Sequence, residues 1–304
     1  MNNESLPPVS IVMATYNGAK FLKEQMESLL HQTYSNIEII IVDDGSTDNT
    51  REMLTQYAAQ HKNIQLYFND QHLGYVKNFE KGCGLANGNY ISFSDQDDVW
   101  ALNKTELLME ALDDSAIIYC DDELVDKSLH SLSKKHSDLK RLASFNNCLC
   151  FATDNCVGGH AMIIKKEILK FAYPFPEEMP YDLWCAFIAT FHGGIKYLDK
   201  PLVKWRQHTN NITGLEKKKK EKTVETRKRL AIFYNTCPPE LSMEKQVLQQ
   251  LCKSYEDHSL QNNFLRMSIF LRYKKYLLAM KKRNEFRKFL FCLKMFYKLR
   301  LHVA

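Results

Sequence analysis

Short apolar, β-branched runs alternate with amphipathic stretches through the first hundred positions of the chain. Four of these runs are expected to be strands, at positions 9–14, 37–42, 64–68 and 90–94. Between them, apolar residues recur with helical spacing, as in Phe21, Met26, Leu29 and Leu30. Continuous apolar strands separated by amphipathic helices are typical of parallel sheets. The pattern therefore predicts an α/β fold with a mostly parallel central sheet and helices on both faces.

The pattern is less regular in the middle of the chain. It predicts four further strands, at 117–120, 161–164, 195–198 and 202–205. Helices are expected from Lys165 onward and over 182–190. The polar and basic stretch 128–142 is interpreted as a mobile loop, and the surroundings of Cys148 and Cys150 as a strand. No internal repeat is visible in the sequence.

Charge is distributed unevenly along the chain. The 304 residues carry a formal net charge of +5, yet from Phe264 onward twelve Lys and Arg side chains face a single acid, Glu285. A charged run at 216–222 interrupts the globular pattern, so we expect a boundary near Gly214. This boundary divides the chain into a domain over 1–214 and a helical, basic extension over 215–304. The asymmetry indicates an anionic partner for the extension rather than for the whole protein.

The nine cysteines are interpreted as reduced thiols in the cytosol, because the N-terminal residues lack the features of a signal peptide. A zinc site is an alternative for the cluster Cys148, Cys150, Cys156 and His160. The spacing of that cluster matches no common zinc pattern, so core positions are favoured. No run of the sequence approaches the ~20 apolar residues of a membrane-spanning helix.

Three carboxylates directly follow the fourth predicted strand, in the segment Ser94-Asp95-Gln96-Asp97-Asp98-Val99-Trp100. Charges this close to a buried strand are costly to desolvate, and they need a cation, hydrogen bonds or solvent beside them. At the carboxyl end of a sheet strand, a divalent metal held together with a phosphate meets that need. The segment therefore indicates a site that binds a nucleoside diphosphate.

The first and second predicted strands also end in polar turns. Asp43 and Asp44 follow the second strand, where a carboxylate can accept hydrogen bonds from a pyrimidine imide or a ribose hydroxyl. Gly45 lets the backbone turn closely past a ligand. Tyr16, after the first strand, could stack on a base. An acidic turn that merely caps the next helix explains the Asp43–Asp44 pair equally well.

Taken together, five segments resemble the family 2 glycosyltransferases. They lie in this order along the chain: 9–18, 41–48, 94–100, 181–184 and 205–214. The Ser-Asp-Gln-Asp-Asp-Val-Trp segment and the later Arg-Gln-His segment are most similar to a bacterial rhamnosyltransferase-like branch. The resemblance covers about residues 7 to 214. It implies the GT-A fold, a nucleotide-binding α/β sandwich.

The resemblance implies how the acidic turn would bind a sugar nucleotide. Asp95 would contact the ribose, and Asp97 would ligate a Mg²⁺ or Mn²⁺ ion that bridges the diphosphate. This metal would neutralise the charge on the departing diphosphate. Asp43 and Asp44 fall where the family contacts the nucleobase. The same nucleotide pocket would be lined by Thr15, Tyr16 and Asn17.

Asp182 falls where the family places the general base that takes a proton from the acceptor hydroxyl. A Glu or His often precedes this aspartate in the family, whereas here the preceding residue is Tyr181. That departure removes one ionisable neighbour and makes the pKa of Asp182 harder to predict. The alternative is that Asp182 only caps the helix that follows it, and both roles could coincide.

His208 would reach the metal or the diphosphate from the C-terminal side, although an isolated histidine is as often structural. The resemblance assigns six more residues to the walls of the donor and acceptor pockets: Asp98, Trp100, Gly158, Gly159, Trp184 and Arg206. Arg206 could pair with a phosphate or with one of the aspartates. For the two glycines, a simple turn is the alternative to close approach of a ligand.

The basic extension interleaves Phe, Leu, Met and Tyr with Lys and Arg from Phe264 onward. Four apolar residues fall on one helical face with Arg287 and Lys288 beside them: Phe286, Phe289, Leu290 and Leu293. A basic amphipathic helix of this kind is typical of the interface of an anionic membrane. The alternative is a helix that packs its apolar stripe on the domain before it. The density of aromatic residues and the near absence of acids favour the membrane.

These observations predict an inverting, metal-dependent glycosyltransferase. It would transfer a sugar from a UDP- or dTDP-sugar, for example dTDP-rhamnose, to a saccharide acceptor in bacterial surface polysaccharide synthesis. The acceptor could be lipid-linked, and the enzyme would be cytoplasmic and peripheral on the inner face of the cell membrane. A nucleic acid partner is not expected. The alternative is a non-catalytic nucleotide-sugar-binding module or membrane scaffold on the same fold.

Overall fold

The computed structural model describes residues 6–208, 221–257 and 259–297. Within these ranges the strands are β1 (Val9–Thr15), β2 (Ile37–Asp43), β3 (Ile64–Phe68), β4 (Tyr90–Ser94), β5 (Val99–Trp100), β6 (Ile117–Val125), β7 (Ser131–Lys135), β8 (Met162–Lys165) and β9 (Ile195–Arg206). The helices there are α1 (Ala19–Leu30), α2 (Thr50–Gln60), α3 (Tyr75–Leu85), α4 (Lys104–Ala111), α5 (His136–Leu139), α6 (Leu169–Ala172), α7 (Tyr181–Ala189), α8 (Glu221–Thr236), α9 (Ser242–Ser254), α10 (Leu260–Arg272), α11 (Lys274–Leu277) and α12 (Glu285–Lys294).

These strands form one sheet in the order β3-β2-β1-β4-β8-β6-β9-β5, with β7 paired to β6. The first four strands in this order run parallel to one another. Strand β8 is antiparallel to both β4 and β6, so β6 points in the same direction as β4, and β9 runs parallel to β6. The carboxyl ends of β1, β2, β4, β6 and β9 therefore meet at one edge of the sheet, together with the start of β8.

Helices cover both faces of the sheet, because successive side chains of a strand point in opposite directions. Val12 of β1 lies in a core with Phe79 of α3. Its neighbours Ile11 and Met13 lie in a second core with Met26 of α1. The α/β architecture predicted from the alternating pattern is confirmed. The second half of the sheet adds antiparallel strands that local periodicity did not distinguish from parallel ones.

The prediction of a mobile loop at 128–142 is wrong, because this stretch contains β7 and α5. It is held by buried carboxylates of β6. Ser137 donates to Asp121 from its backbone nitrogen over 3.0 Å and from its hydroxyl over 2.6 Å. The two short strands predicted at 195–198 and 202–205 are one strand, β9. Register shifts beside Asp121 accommodate its irregular middle.

The predicted strand around Cys148 is also wrong, because Cys148–Phe151 forms a 3₁₀ helix. The side chain of Asn147 accepts a hydrogen bond of 3.0 Å from the backbone nitrogen of Leu149, which starts this turn. The zinc alternative gains no support. Within the described ranges, the cluster of metal-ligating side chains that includes His160 contains carboxylates and no cysteine.

The extension packs on the domain before it through α8 to α11. Phe233 of α8 stacks on Phe187 of α7 with ring centroids 4.0 Å apart, and it lies parallel to Trp184 at 6.4 Å. Thr153 donates to the carbonyl of Leu277 over 2.7 Å. The boundary predicted near Gly214 lies outside the described residues, as does most of the charged run 216–222. The described helices of the extension therefore share a core with the first domain.

Helix α12 buries polar side chains and exposes apolar ones. Its buried side chains are Lys288 and Cys292, and the Cys292 thiol donates to the carbonyl of Phe270 over 3.3 Å. The apolar stripe faces outward, with exposures of 68% for Phe286, 43% for Phe289, 40% for Leu290 and 36% for Leu293. Every helix in the described part of the chain is too short or too polar to span a bilayer.

Candidate active site

The acidic turn after β4 brings together residues from both ends of the first domain. The Asp97 carboxylate lies 2.7 Å from Nε2 of His208, which follows β9, although 111 positions separate them in the chain. Asp98 accepts a 3.0 Å hydrogen bond from the backbone nitrogen of Arg206. The parallel arrangement of β4, β6 and β9 causes this meeting, because it places the ends of β4 and β9 at the same edge of the sheet.

Arg206 links the acidic turn to the segment that follows β6. Its side chain is buried and donates to the backbone carbonyls of Asp97 and Lys127, each over 2.6 Å. The guanidinium group also lies 4.5 Å from the ring centroid of Phe21, which stacks on His208 at 4.9 Å. The Arg206 side chain thus donates to main-chain oxygens. The sequence had predicted that it pairs with a phosphate or with an aspartate side chain.

Asp43 holds the turn after β2 in place. Its buried carboxylate accepts hydrogen bonds from Thr15 over 3.1 Å, from the backbone of Ser46 over 3.0 Å and from Arg51 over 2.7 Å. The Ser46 hydroxyl also donates to it. Gly45 has a φ of +87°, a conformation that favours glycine. These contacts position the loop backbone around the predicted nucleotide pocket.

Asp44 is likewise buried and surrounded by donors. Its carboxylate accepts from the backbone nitrogens of Leu73 and Gly74, each over 2.8 Å, and from the Asn69 amide over 2.7 Å. Nδ1 of His72 lies 3.0 Å from the same carboxylate. These bonds draw the loop between β3 and α3 against the end of β2, beside the pocket predicted for the nucleobase.

Two exposed rings flank this corner of the site. Tyr16 is 45% exposed, and its ring centroid lies 4.4 Å from that of His72. Gln96 of the acidic turn bonds both the backbone nitrogen and the carbonyl of Tyr16, over 2.9 and 3.0 Å. Asn17 accepts from the backbone of Thr47 over 2.8 Å. The sequence analysis gave no role to Gln96, because it considered only the carboxylates of that segment, and it missed His72, which lies outside the motifs.

Asp182 occupies the first turn of α7, while Pro180 takes the N-cap position. Its carboxylate accepts a 2.6 Å hydrogen bond from the backbone nitrogen of Leu183. Asp182 is therefore not the cap residue that the alternative interpretation required. Burial raises its pKa to about 6, and the charge of Asp95 acts in the same direction. A carboxylate with a pKa near neutrality is suited to accept a proton from a hydroxyl group.

The two glycines of the predicted pocket wall leave room for the protein's own side chains. A Cβ atom at Gly159 would lie 2.0 Å from the Tyr181 hydroxyl oxygen, and one at Gly158 would lie 3.2 Å from the His160 ring. Trp100 and Trp184 are 2% and 4% exposed, and both belong to the hydrophobic core. Neither tryptophan lines a wall of the site, which corrects the sequence prediction for both.

A buried charge cluster lies behind the acidic turn. Nδ1 of His160 is 3.5 Å from Asp95 and 3.6 Å from Asp98, and its Nε2 is 3.3 Å from Asp122. On its other side, Asp122 faces Nδ1 of His136 at 3.2 Å. The sequence analysis missed Asp122 and His136. Asp122 lies beyond the apolar run 117–120 that was predicted as a strand, and His136 lies in the stretch interpreted as a loop.

The fold family implies a divalent metal, and the residues present fit one. Asp97 and His208 offer a carboxylate oxygen and an imidazole nitrogen that lie 2.7 Å apart, and their side chains are 20% and 14% exposed. A second grouping is formed by Asp95, Asp98 and His160, whose ligand atoms lie within 4.8 Å of one another. In that second grouping, Oδ2 of Asp98 is buried without a hydrogen-bond partner.

Comparison with known proteins places this chain in a family. A family model described as Glycosyl transferase family 2 matches residues 10–171. An uncharacterized glycosyltransferase of Rickettsia prowazekii (strain Madrid E) is 33% identical over 219 residues, which are 68% of this chain and 66% of the relative. The chain therefore belongs to glycosyltransferase family 2, and the enzyme class predicted from its motifs is confirmed. It spans about two thirds of the length of such curated relatives.

One relative has a named reaction. It is WfgD of Escherichia coli, a UDP-Glc:α-D-GlcNAc-diphosphoundecaprenol β-1,3-glucosyltransferase. WfgD is 28% identical over 184 residues, which are 59% of this chain and 69% of WfgD.

Solved structures agree on the fold. S. aureus TarS 1-349 in complex with UDP-GlcNAc superposes with a TM-score of 0.60 at 16% identity, covering 97% of this chain and 92% of that one. The mannosyltransferase PcManGT of Pyrobaculum calidifontis, in complex with GDP-Man and Mn²⁺, gives a TM-score of 0.55 at 18% identity, covering 98% and 88%. At these identities the likeness shows the fold alone. The GT-A-type architecture expected from the sequence is thus confirmed.

Proposed function

We propose that the protein is an inverting, metal-dependent transferase that moves a sugar from a UDP- or dTDP-sugar to a saccharide acceptor. The observation that carries the proposal is the 2.7 Å approach of Asp97 to His208 at the edge of the sheet where β1 and β2 also end. A divalent ion bound by these two residues would neutralise charge on the donor diphosphate. Asp95, whose side chain is 43% exposed, is suited to accept hydrogen bonds from the ribose.

The chemistry assigned to the protein's own residues is a single displacement. The Asp182 carboxylate accepts the proton of the acceptor hydroxyl, whose oxygen forms a bond to the anomeric carbon of the donor sugar. The bond between that carbon and the diphosphate oxygen breaks, and its electron pair leaves with the nucleoside diphosphate. Attack from the side opposite the leaving group inverts the configuration. Tyr16, Thr15, Asn17, Asp43 and Asp44 form the nucleotide end of the site.

A ligand screen tests this function directly. UDP or dTDP with Mn²⁺ is expected to raise Tm by several degrees, because binding at 100 times Kd stabilises the folded state by about 2.7 kcal/mol. GDP and ADP with Mn²⁺ serve as controls for the base, and UDP with EDTA serves as the control for the metal. If no nucleoside diphosphate stabilises the protein in the presence of Mn²⁺, the donor site proposed here is wrong.

We further propose that the acceptor is lipid-linked and that the extension contacts the inner face of the cell membrane, where surface polysaccharide is assembled. The outward stripe of α12 supports this, since an apolar helix face normally turns toward a core. Arg287 and Lys294 are exposed beside the stripe, and both match an anionic lipid surface. The similarity to WfgD, whose named acceptor is a diphosphoundecaprenol, agrees with this choice.

Removing apolar side chains from the stripe is expected to weaken membrane binding. The double substitution Phe286→Ser and Leu290→Ser should lower partition onto phosphatidylglycerol vesicles about tenfold or more, because each lost side chain forfeits apolar burial. Vesicle sedimentation measures this partition, and phosphatidylcholine vesicles test the role of charge. Leu102→Ser, at a position 53% exposed elsewhere on the surface, is the matched control. Equal sedimentation of both variants and the unmodified protein would contradict membrane contact through α12.

A further inference from the structure

The loop between β3 and α3 places an exposed histidine at the nucleotide end of the site. The side chain of His72 is 57% exposed, whereas that of Asp44 beside it is 3% exposed. Nδ1 of His72 lies 3.1 Å from the backbone carbonyl oxygen of Asp44 and 3.0 Å from its carboxylate oxygen Oδ2. One nitrogen of this exposed ring therefore contacts Asp44, which leaves Nε2 for another partner.

The carboxylate of Asp44 is surrounded by nitrogen atoms of the protein itself. Its Oδ1 accepts hydrogen bonds from the backbone nitrogen of Leu73 over 2.8 Å and from the Asn69 amide over 2.7 Å. Its Oδ2 accepts from the backbone nitrogen of Gly74 over 2.8 Å and also faces Nδ1 of His72. A carboxylate has about four positions for hydrogen-bond donors, and four nitrogens lie against this one. The protein therefore takes up the acceptor capacity that the imide of a pyrimidine would need.

The surroundings of Nδ1 determine which ring nitrogen of His72 carries the proton. Both oxygens that face Nδ1 are acceptors, since one is a carbonyl oxygen and the other belongs to a carboxylate that receives hydrogen bonds from backbone N–H groups. Nδ1 is therefore the donor. In the neutral imidazole, Nε2 then has a lone pair and acts as a hydrogen-bond acceptor. Within the described residues, Nε2 has no hydrogen-bond partner.

Tyr16 limits how a base can meet this histidine. The centroids of the two rings lie 4.4 Å apart, and their planes are tilted by 44°. A base between the rings would need roughly twice that separation, so it has to approach from outside the pair. Gln96 holds Tyr16 in place by hydrogen bonds to its backbone nitrogen and carbonyl oxygen, over 2.9 and 3.0 Å. Because Nδ1 faces the buried carboxylate, Nε2 lies on the side of the imidazole away from it.

We propose that His72 selects the base of the donor, and that its Nε2 accepts a hydrogen bond from the N3–H group of uracil or thymine. This inference rests on the proposed donor site and names the residue that recognises its pyrimidine. Asp44 fixes the imidazole from behind, in place of the direct contact with the base that the sequence analysis expected of it. In cytosine, N3 carries no proton, and its lone pair would face that of Nε2. Since uracil and cytosine are nearly equal in size, the position of one proton makes the selection.

The Kd values for UDP and CDP test this assignment. Calorimetry with saturating Mn²⁺ at about pH 8, where an ordinary imidazole is neutral, measures both. The unmodified protein should bind UDP about tenfold more tightly than CDP, the effect of one hydrogen bond. His72→Phe keeps a ring beside Tyr16 but removes the acceptor. Its affinity for UDP should fall about three- to tenfold, and the ratio of the two Kd values should lie within about twofold of one.

A second variant separates the hydrogen bond from the ring. The side chain of His72→Gln can present an amide oxygen to uracil, so UDP should bind within about threefold of its affinity for the unmodified protein. The same amide can turn its NH₂ group toward cytosine, so the preference for UDP over CDP should weaken. His31→Phe is the matched control, because His31 is an exposed histidine on α1 that pairs with Glu27 at 3.6 Å. Its Kd values should equal those of the unmodified protein.

Two results would overturn the role of His72. One is a folded His72→Phe variant that retains the full preference for UDP, which would return recognition of the base to Asp44 or to another group. The other is equal or tighter binding of CDP by the unmodified protein. If His72→Phe does not fold, as judged by Tm, His72→Gln decides, and an unchanged ratio of Kd values contradicts the proposal. Failure of the unmodified protein to bind UDP, dTDP or CDP with Mn²⁺ would instead overturn the donor site itself.

Discussion

Replacing Asp182 by asparagine is expected to lower kcat by about 10²- to 10⁴-fold, the range typical for loss of a general base. The substitution keeps the size of the side chain and its 2.6 Å hydrogen bond from Leu183, so α7 should still begin at Tyr181. Donor binding should change little, since the role proposed for Asp182 concerns the acceptor hydroxyl. Release of the nucleoside diphosphate in the presence of acceptor, with kcat and donor KM determined separately, measures the effect.

The pH profile separates this role from a structural one. Burial raises the pKa of Asp182 to about 6, and only the ionised carboxylate can accept a proton. The transfer rate should therefore fall as the pH drops through about 6, approaching tenfold per unit below that value, and this limb should be absent in Asp182→Asn. Glu178→Gln, an exposed carboxylate near the start of α7, should leave the profile unchanged. A full rate in Asp182→Asn at pH 7 would rule out Asp182 as the base.

The second large effect is expected for Asp97→Ala. Loss of this carboxylate removes one of the two groups that meet at 2.7 Å, and the remaining His208 would hold a divalent ion weakly. Without charge neutralisation at the diphosphate, turnover should fall by at least about 10²- to 10³-fold, the cost of losing one electrostatic stabiliser. Mn²⁺ titrations of the donor reaction measure the loss, and excess Mn²⁺ should restore part of it only if weak binding persists.

Asp114→Asn is the matched control for Asp97→Ala. Asp114 is an exposed carboxylate just before β6, at the opposite end of that strand from the site. It should have no effect on the Mn²⁺ requirement. An Asp97→Ala variant with full metal-dependent turnover would show that the acidic turn serves another purpose.

The strands of the first half were predictable because each is a short apolar run bounded by polar turns. The local pattern of apolar and polar residues is almost sufficient to locate such strands. The predicted and observed bounds of β3 and β4 are the same. The acidic turn was predictable for a related reason. Carboxylates directly after a buried strand are costly unless something compensates them, so their position alone suggested a site.

The other half of the site depends on contacts between residues that lie far apart in the sequence. Asp122 is a charged residue in a buried strand, and it is tolerated because His160 and His136 approach it from two other elements. Sequence periodicity shows neither that β8 inserts antiparallel between β4 and β6 nor that β9 returns parallel to β6. The stretch at 128–142 was misinterpreted for the same reason. Two of its polar residues meet acids of β6, since Ser137 donates to Asp121 and His136 faces Asp122 at 3.2 Å.

The stacking of Phe233 on Phe187, beside Trp184, has a consequence for the design of shorter proteins. These rings join α8 to α7, the helix that carries Asp182. A fragment that keeps every chemical group of the site but stops before α8 would open this aromatic layer to solvent. It would be prone to aggregation, and Asp182 would lie on a poorly supported helix. The smallest active unit is therefore set by packing, and it is longer than the stretch that carries the recognisable motifs.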